Sequence, residues 1–431
     1  MEMPSRAGSS ARRALACLAA GLVAVLGPRG LSATEILLPP FFSVEADLLE
    51  RVGDGQFGTL LEVHLLQYGV DPTWRAEWAR HRYEGSGFLM QYGSTSGTRL
   101  YVDAEIGLHL PLTDRLGVGY ERREWEDGRF ELFDERLSAH WFVTDDWAVV
   151  AAGWPAHRKD EASFGLGAQW GSSRDRWLRL VVLDEAFVHE RKATGETSFS
   201  KRPIRYLADG YLERGALVLH GTANLGEPYR AVNRPEAAGE PSYRGEGLSA
   251  YGTLGAELRG TDRGVGLLGR FVVERLAQTE MPVDGEPAKL GMTRGWTLVQ
   301  AHAWRRLGLW GGTGLLGYAR QRDDHETPAE EGTYRMDQGL FGLEGAYTGW
   351  DPLEVRAGYL GSYSRMVRRV EAADPDVTPA LEGRSREGFA DKVHLKVLYR
   401  FRPQVALEAL ISKEVTGGGF GGFAMKALAV F

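Results

Sequence analysis

Residues 107–125 read "GLHLPLTDRLGVGYERREW". Pro111 and the polar knot Thr113, Asp114 and Arg115 separate two runs in which apolar and polar residues alternate. Nearly the same arrangement returns as "FVTDDWAVVAAG" (142–153), "GSSRDRWLRLVV" (171–182), "LRGTDRGVGLLG" (258–269) and "TGWDPLEVRAG" (348–358). Alternation at a period of two is strand geometry, and a short polar knot between two such runs is a hairpin turn.

Working outward, the alternation dominates the chain past Arg82. In "LYVDAEIGLHL" Leu100, Val102, Ala104, Ile106, Leu108 and Leu110 share one face. In "LSAYGTLGAEL" Leu248, Ala250, Leu254, Ala256 and Leu258 oppose Ser249, Tyr251, Thr253 and Glu257. In "VHLKVLYRF" Val393, Leu395, Val397, Tyr399 and Phe401 oppose His394, Lys396, Leu398 and Arg400. Segments of about ten to thirteen residues exceed ordinary globular strands and suit tilted strands crossing a bilayer. Roughly eighteen of them (16–20) fit between "GSGFLMQYG" and the end, near the spacing of about 22 residues per strand and connection.

The connections alternate in length. "PLTDR", "VTDD", "SSRDR", "ERG", "GTDRG", "RRLG", "GWDP" and "RPQ" are short. Interleaved with them are "HERKATGETSFSKRP", "GEPYRAVNRPEAAGEPSYRGE", "QTEMPVDGEPAKLG", "RDDHETPAEEGTY" and "RRVEAADPDVTPALEGRSREG". Tight turns on one rim and longer loops on the other are the layout of an outer-membrane barrel, with the turns facing the periplasm. The fold expectation is therefore all-β: a transmembrane antiparallel up-and-down barrel over residues 83–431. Trp147 and Trp177, each following a turn, are expected in the interfacial aromatic girdle. A propeller or large β-helix is the soluble alternative, but propeller strands are shorter and repeat in fours.

Composition agrees. The chain has 431 residues with 56 Gly, 12 Trp, 16 Tyr and 17 Phe, and hydrophobics reach only 43%. Mean hydropathy is slightly negative, which excludes a bundle of apolar helices. Arg6, Arg12 and Arg13 precede the apolar run "ALACLAAGLVAVLG", and "PRGLSATE" offers a small-residue exit. Residues 1–33 thus read as a secretory signal peptide, too short for a comfortable membrane anchor. Cys17 is the only cysteine and leaves with that segment, since too little apolar sequence precedes it for a lipid-modified site. A mature chain without cysteine holds no disulfide, thiolate nucleophile, iron–sulfur cluster or covalently attached haem. Removing the segment, net +3, takes the formal charge from −7 to −10. An acidic exported chain is a poor partner for nucleic acid.

Residues 34–82 mix patterns. "SVEADLLERV" and "PTWRAEWARH", with Trp74 and Trp78 one turn apart, suit helices, while "TLLEVHLLQYG" suits a strand. A plug or cap is the expectation, with two further strands as the alternative.

The chain's end, "GGFAMKALAVF", closes on Phe431. It resembles the C-terminal strand of bacterial outer-membrane barrels (the porin-like class). That resemblance implies recognition by the barrel-assembly machinery through the final Phe, and contact with the lipid bilayer and lipopolysaccharide of a Gram-negative envelope. No narrower family is evident.

With apolar residues facing lipid, the opposite positions line the lumen. The candidates are Asp103, Glu105, Arg123, Arg136, Arg179, Arg270, Glu274, Arg356, Lys396 and Arg400, together with Glu121, His140, Glu354, His394 and Glu408. They would give a water-filled channel local charge selectivity, although any barrel interior also pairs polar side chains among themselves. Eighteen strands enclose a lumen too wide for side chains alone to close. Passive passage of small hydrophilic solutes is the leading expectation. Export of an anionic polysaccharide along an arginine track is one alternative. Another is a sheath around a partner such as a redox chain, and a third an outer-membrane enzyme. No GxSxG motif stands in the sequence and its histidines lack evident Ser partners, so no catalytic residue, metal ligand or cofactor is assigned. Two acidic stretches read as surface features: "RQRDDHETPAEE" as a solvated loop, and Asp184, Glu185 and His189 as the outer end of a long strand.

Overall fold

The computed structural model describes residues 86–430, apart from the connections 96–98, 127–130, 156–160, 174–175, 190–195, 235–241, 283–285, 327–329, 373–383 and 403–404. The expected signal peptide, the 34–82 segment and Phe431 lie outside the described residues. Twenty strands follow one another: β1 (Gly87–Thr95), β2 (Arg99–Pro111), β3 (Leu116–Glu126), β4 (Glu131–Phe142), β5 (Trp147–Pro155), β6 (Glu161–Ser173) and β7 (Arg176–His189). Next come β8 (Glu196–Lys201), β9 (Ile204–Arg214), β10 (Leu217–Gly226), β11 (Tyr229–Arg234), β12 (Ser242–Arg259) and β13 (Arg263–Met281). The rest are β14 (Ala288–Leu307), β15 (Trp310–Glu326), β16 (Glu330–Trp350), β17 (Leu353–Ala372), β18 (Arg384–Arg402), β19 (Val405–Glu414) and β20 (Phe420–Val430).

All pairings are antiparallel. Each strand bonds to its sequence neighbour except at two places, where β7 pairs β9 and β10 pairs β12. β20 returns to β1, with Gly87 opposite Val430 and Thr95 opposite Gly422, and this closes the ring. Eighteen strands make the ring, and β8 and β11 form a flap above it. The flap exists because prolines interrupt two long strands. Pro203 separates β8 from β9, and Pro228 separates β10 from β11. Neither residue has an N–H to offer a ladder, so pairing stops and restarts with a new partner.

The turns that opened the sequence behave as expected. Thr113 Oγ1 accepts the N–H groups of Arg115 and Leu116 at 3.3 and 3.0 Å. Thr144 Oγ1 does the same for Asp146 and Trp147 at 3.3 and 3.1 Å. The two-residue turns before β10 and β15 use Gly215 and Gly308 at φ 61° and 62°, the left-handed conformation that matches strand twist.

Polarity is inverted relative to a soluble β-protein. Leu254, Leu316 and Leu343 are 66–69% exposed, whereas Gln338, Ser362, Lys396 and Glu408 are almost fully buried. The apolar outer band has two chemically distinct borders. At the turn end stand exposed Trp141, Trp147, Trp310, Trp350 and Phe401. At the loop end, tyrosine hydroxyls donate to carboxylates: Tyr120 to Glu135, Tyr206 to Glu227, Tyr318 to Asp337, Tyr359 to Asp391 and Tyr363 to Glu387. Amphipathic rings at both edges of an apolar band are the signature of a membrane-spanning barrel.

Three expectations need correcting. Trp177 is not in the girdle; it is 4% exposed and packs inward on Tyr211 and Val218, because register gives the outer face to Leu178 and Leu180. The described residues of "RQRDDHETPAEE" are strand rather than loop: β15 runs through Glu326 and β16 starts at Glu330. The other long connections are likewise shortened by strand. Strands β12 to β18 hold 17 to 21 residues each, well beyond the roughly 9–11 that cross a bilayer. They form a tall wall that continues past the Tyr–carboxylate border. The ring strands β1 to β7, β19 and β20 hold 9 to 14 residues and form a low wall.

Candidate functional site

The low wall sends a bundle of ions into the lumen. On β2 and β3, Glu105 and Arg123 are cross-strand partners 3.4 Å apart. Arg136 on β4 lies opposite Glu121, at 4.0 Å. Arg179 on β7 donates to Asp209 of β9 at 2.9 and 3.3 Å, and reaches back to Glu121 on β3 at 2.6 Å. Arg205 pairs with Glu185 and donates to Asn224 and Ser249 at 3.1 and 2.8 Å.

Two further contacts cross the barrel. Arg123 of β3 donates to Thr222 of β10 at 3.3 Å, and its guanidinium lies 5.3 Å from the ring centre of Tyr251 on β12. Tyr251 is held there by Asn224, whose amide donates to its hydroxyl at 2.8 Å. β3 and β12 are seven steps apart on an eighteen-strand ring, nearly opposite. A circular ring with ordinary strand spacing and tilt is about 35 Å wide. An arginine stacked on a tyrosine bridges only roughly half of that. The barrel is therefore flattened at this level, and the expectation that side chains cannot cross the lumen fails here. The space among these groups, lined by Glu121, Arg136, Asp209 and Asn224, holds only ≈ 20 Å³.

The tall wall answers with a different surface. Tyr251, Val272, Trp296, Leu298, Ala319, Leu340 and Leu360 make a buried apolar strip across β12 to β17 on the lumen side. The cation–π contact of Arg123 is thus where the ionic bundle docks on the strip.

A second ion cluster sits nearer the turn end on β16 to β20. Glu344 accepts from His394 Nε2 at 2.8 Å and lies 2.5 Å from Lys396 Nζ and 3.6 Å from Arg356. Arg356 also meets Glu354, and Lys426 lies 3.4 Å from Glu408. Lumen histidines take their seats over glycines. His220 lies so close to Gly255, directly opposite in register, that a Cβ there would stand 2.1 Å from Nε2.

Of the candidates read from sequence, Glu105, Arg123, Arg136 and Arg179 come together in the first cluster, and Arg356 and Lys396 in the second. Arg270 and Glu274 share the inner face of β13; Arg270 is buried, and Glu274 lies 3.6 Å from Arg294. Arg400 stands exposed near the turn rim, away from both clusters. Asp103 lies in β2, but its side chain is outside the described residues. Two groups central to the clusters, Asp209 and Glu344, are not among those candidates. Each sits on the polar phase of a strand, in "YLADGYL" and "LFGLEGA", which was the available signal. Most of the candidate arginines pair with carboxylates, so the described residues provide no continuous basic track.

No protein-family model matches the chain, and no curated protein matches it. Solved structures do. OmpT, an outer membrane protein of Vibrio cholerae, has 11% identity and a TM-score of 0.34, covering 81% of this chain and 97% of that one. OccK10 (OpdN) of Pseudomonas aeruginosa has 10% identity and a TM-score of 0.32, covering 81% and 98%. The siderophore receptor PirA of Acinetobacter baumannii has 10% identity and a TM-score of 0.32, covering 81% and 80%. By its own closed ring, apolar exterior and polar interior, the chain has the architecture of an outer-membrane β-barrel.

Proposed function

We propose that the chain is a non-catalytic outer-membrane channel that lets small hydrophilic solutes pass down their gradients. The cross-lumen contacts of Arg123 with Thr222 and Tyr251 carry this reading. They gather charges of both signs where side chains meet across the lumen, the arrangement that sets up a transverse field and selects solutes by size and charge. Passage follows where thermal motion opens the Arg123–Tyr251 contact. In this reading residues 1–33 direct export, residues 34–82 plug or cap the barrel from the turn side, and Phe431 addresses the assembly machinery. The Tyr–carboxylate border and the charges above it meet lipopolysaccharide.

The test is single-channel conductance in a planar bilayer, with salts of different ion size and sign. The wild-type chain is expected to conduct weakly. The Arg123→Ala/Arg179→Gln variant should conduct several-fold better and shift toward cations. Silence from both proteins, once insertion is verified, defeats the channel reading.

A further inference from the structure

The flattening of the barrel has an outer face. The lipid-facing surface of the tall wall is indented. Two adjoining, open hollows of ≈ 890 and ≈ 860 Å³ lie along the outside of β12 to β16. Outward Ala256, Ala301, Ala303 and Gly314 line their floor, and Leu258 and Leu343 stand at the sides. At the turn end, the hollow is bounded by Arg263 and Arg305.

These two arginines are directly opposite one another in the β13–β14 register and share the outward phase with Val265 and Ala303. Both are exposed, and neither pairs with a carboxylate among the described residues; Asp262, in the adjacent turn, forms no ion pair among them either. Like charges directly opposite on a sheet repel. An apolar trough ending in two facing cations is complementary to one kind of molecule, an anionic amphiphile with its chains in the trough and its phosphate at the cations.

We propose that this groove binds an anionic diacyl phospholipid of the periplasmic leaflet, with its acyl chains on the Ala/Gly floor and its phosphate bridging Arg263 and Arg305. The proposal rests on the reading of the chain as a membrane-spanning barrel with its turns toward the periplasm. The bound lipid then fills a dent that would otherwise leave the wall poorly packed, and it screens the arginine pair.

The test uses the full-length barrel inserted into vesicles of equal parts phosphatidylglycerol and phosphatidylethanolamine with matched chains. The protein is extracted in mild detergent and retained lipid is read by native mass spectrometry. Wild type should retain phosphatidylglycerol about tenfold over phosphatidylethanolamine, the scale expected of two basic residues at an anionic headgroup. Arg263→Gln/Arg305→Gln should erase that preference, whereas Arg214→Gln/Arg400→Gln, elsewhere on the turn end, should keep it. Ala303→Phe, which fills the floor, should reduce retention of both lipids. Equal retention by wild type, or an unchanged preference in Arg263→Gln/Arg305→Gln, overturns the proposal while leaving the barrel reading intact. Failure of the wild-type chain to insert into any vesicle overturns the barrel reading instead.

Discussion

The two walls of this barrel start from the same rim of tight turns and end at different heights. On β15 the outward positions run Trp310, Gly312, Gly314, Leu316, Tyr318, and then Arg320, Arg322 and Asp324. On β3 they run Leu116, Val118, Tyr120, and then Arg122 and Glu124, and the strand stops two residues later. Both walls change from aliphatic to tyrosine to ion pairs, so the membrane border is written in chemistry, whereas strand length reports only how far pairing continues. Above the border the tall wall is an ordinary solvated sheet whose outward ions pair with each other, as Arg322 with Asp324 at 2.6 Å and Arg320 with Asp337 at 3.6 Å.

The sharpest way to break this comparison is to exchange the chemistry across the border of a single strand. Leu316→Arg places a cation inside the apolar band, one outward position below the tyrosine row, where it should destabilise the barrel by about 1–3 kcal/mol. Arg322→Leu, three positions along the outward phase, should change stability by no more than about 0.5 kcal/mol. Urea titration of folding into lipid vesicles reads both. Equal costs would mean that the tyrosine row is not a membrane border.

A smaller effect separates inner from outer packing. Gly255→Ala drives a Cβ against the buried His220 ring and should cost about 1–3 kcal/mol. At Gly339, on the outer face of β16, an added Cβ meets no atom within 4 Å, so Gly339→Ala should be neutral or slightly stabilising. The same titration checks the pair. The smallest effect belongs to the solvated part of the tall wall. Arg365 and Glu387 lie 3.3 Å apart with more than half of each side chain exposed, and Arg365→Ala should cost under about 1 kcal/mol, less still in high salt.

How far the sequence carried depended on where contrast existed. Within the apolar band, Leu254, Leu258, Val265, Leu267, Val393 and Leu395 alternate with polar residues, and both the strands and their lipid face were legible. The hairpin turns were legible from their short polar knots. Above the border the contrast disappears, because outward Arg and Asp alternate with inward Asp and Gln. The stretch 322–334 then looks like a loop although its described residues are strand. The lumen was legible in phase but not in shape. Alternation assigned Arg123 to the interior, but nothing local to β3 says that its partner is Tyr251, more than a hundred residues away. That contact exists only because the ring is flattened, a property of the closed sheet rather than of any segment. Trp177 failed for a simpler reason: one position decides which face a side chain takes, and proximity to a turn does not set the phase.

The β8–β11 flap and the unequal walls carry one more consequence. Among the described residues, β18 pairs with β19 only from Lys392 onward, and β8 pairs only with β11. Beyond the bilayer, then, the cylinder is unrolled: β8, β11 and β12 to β18 form an open sheet with two raw margins. Such margins invite intruding strands. Here the exposed charges Glu387 on one side and Lys201 on the other discourage neighbouring copies from zipping together.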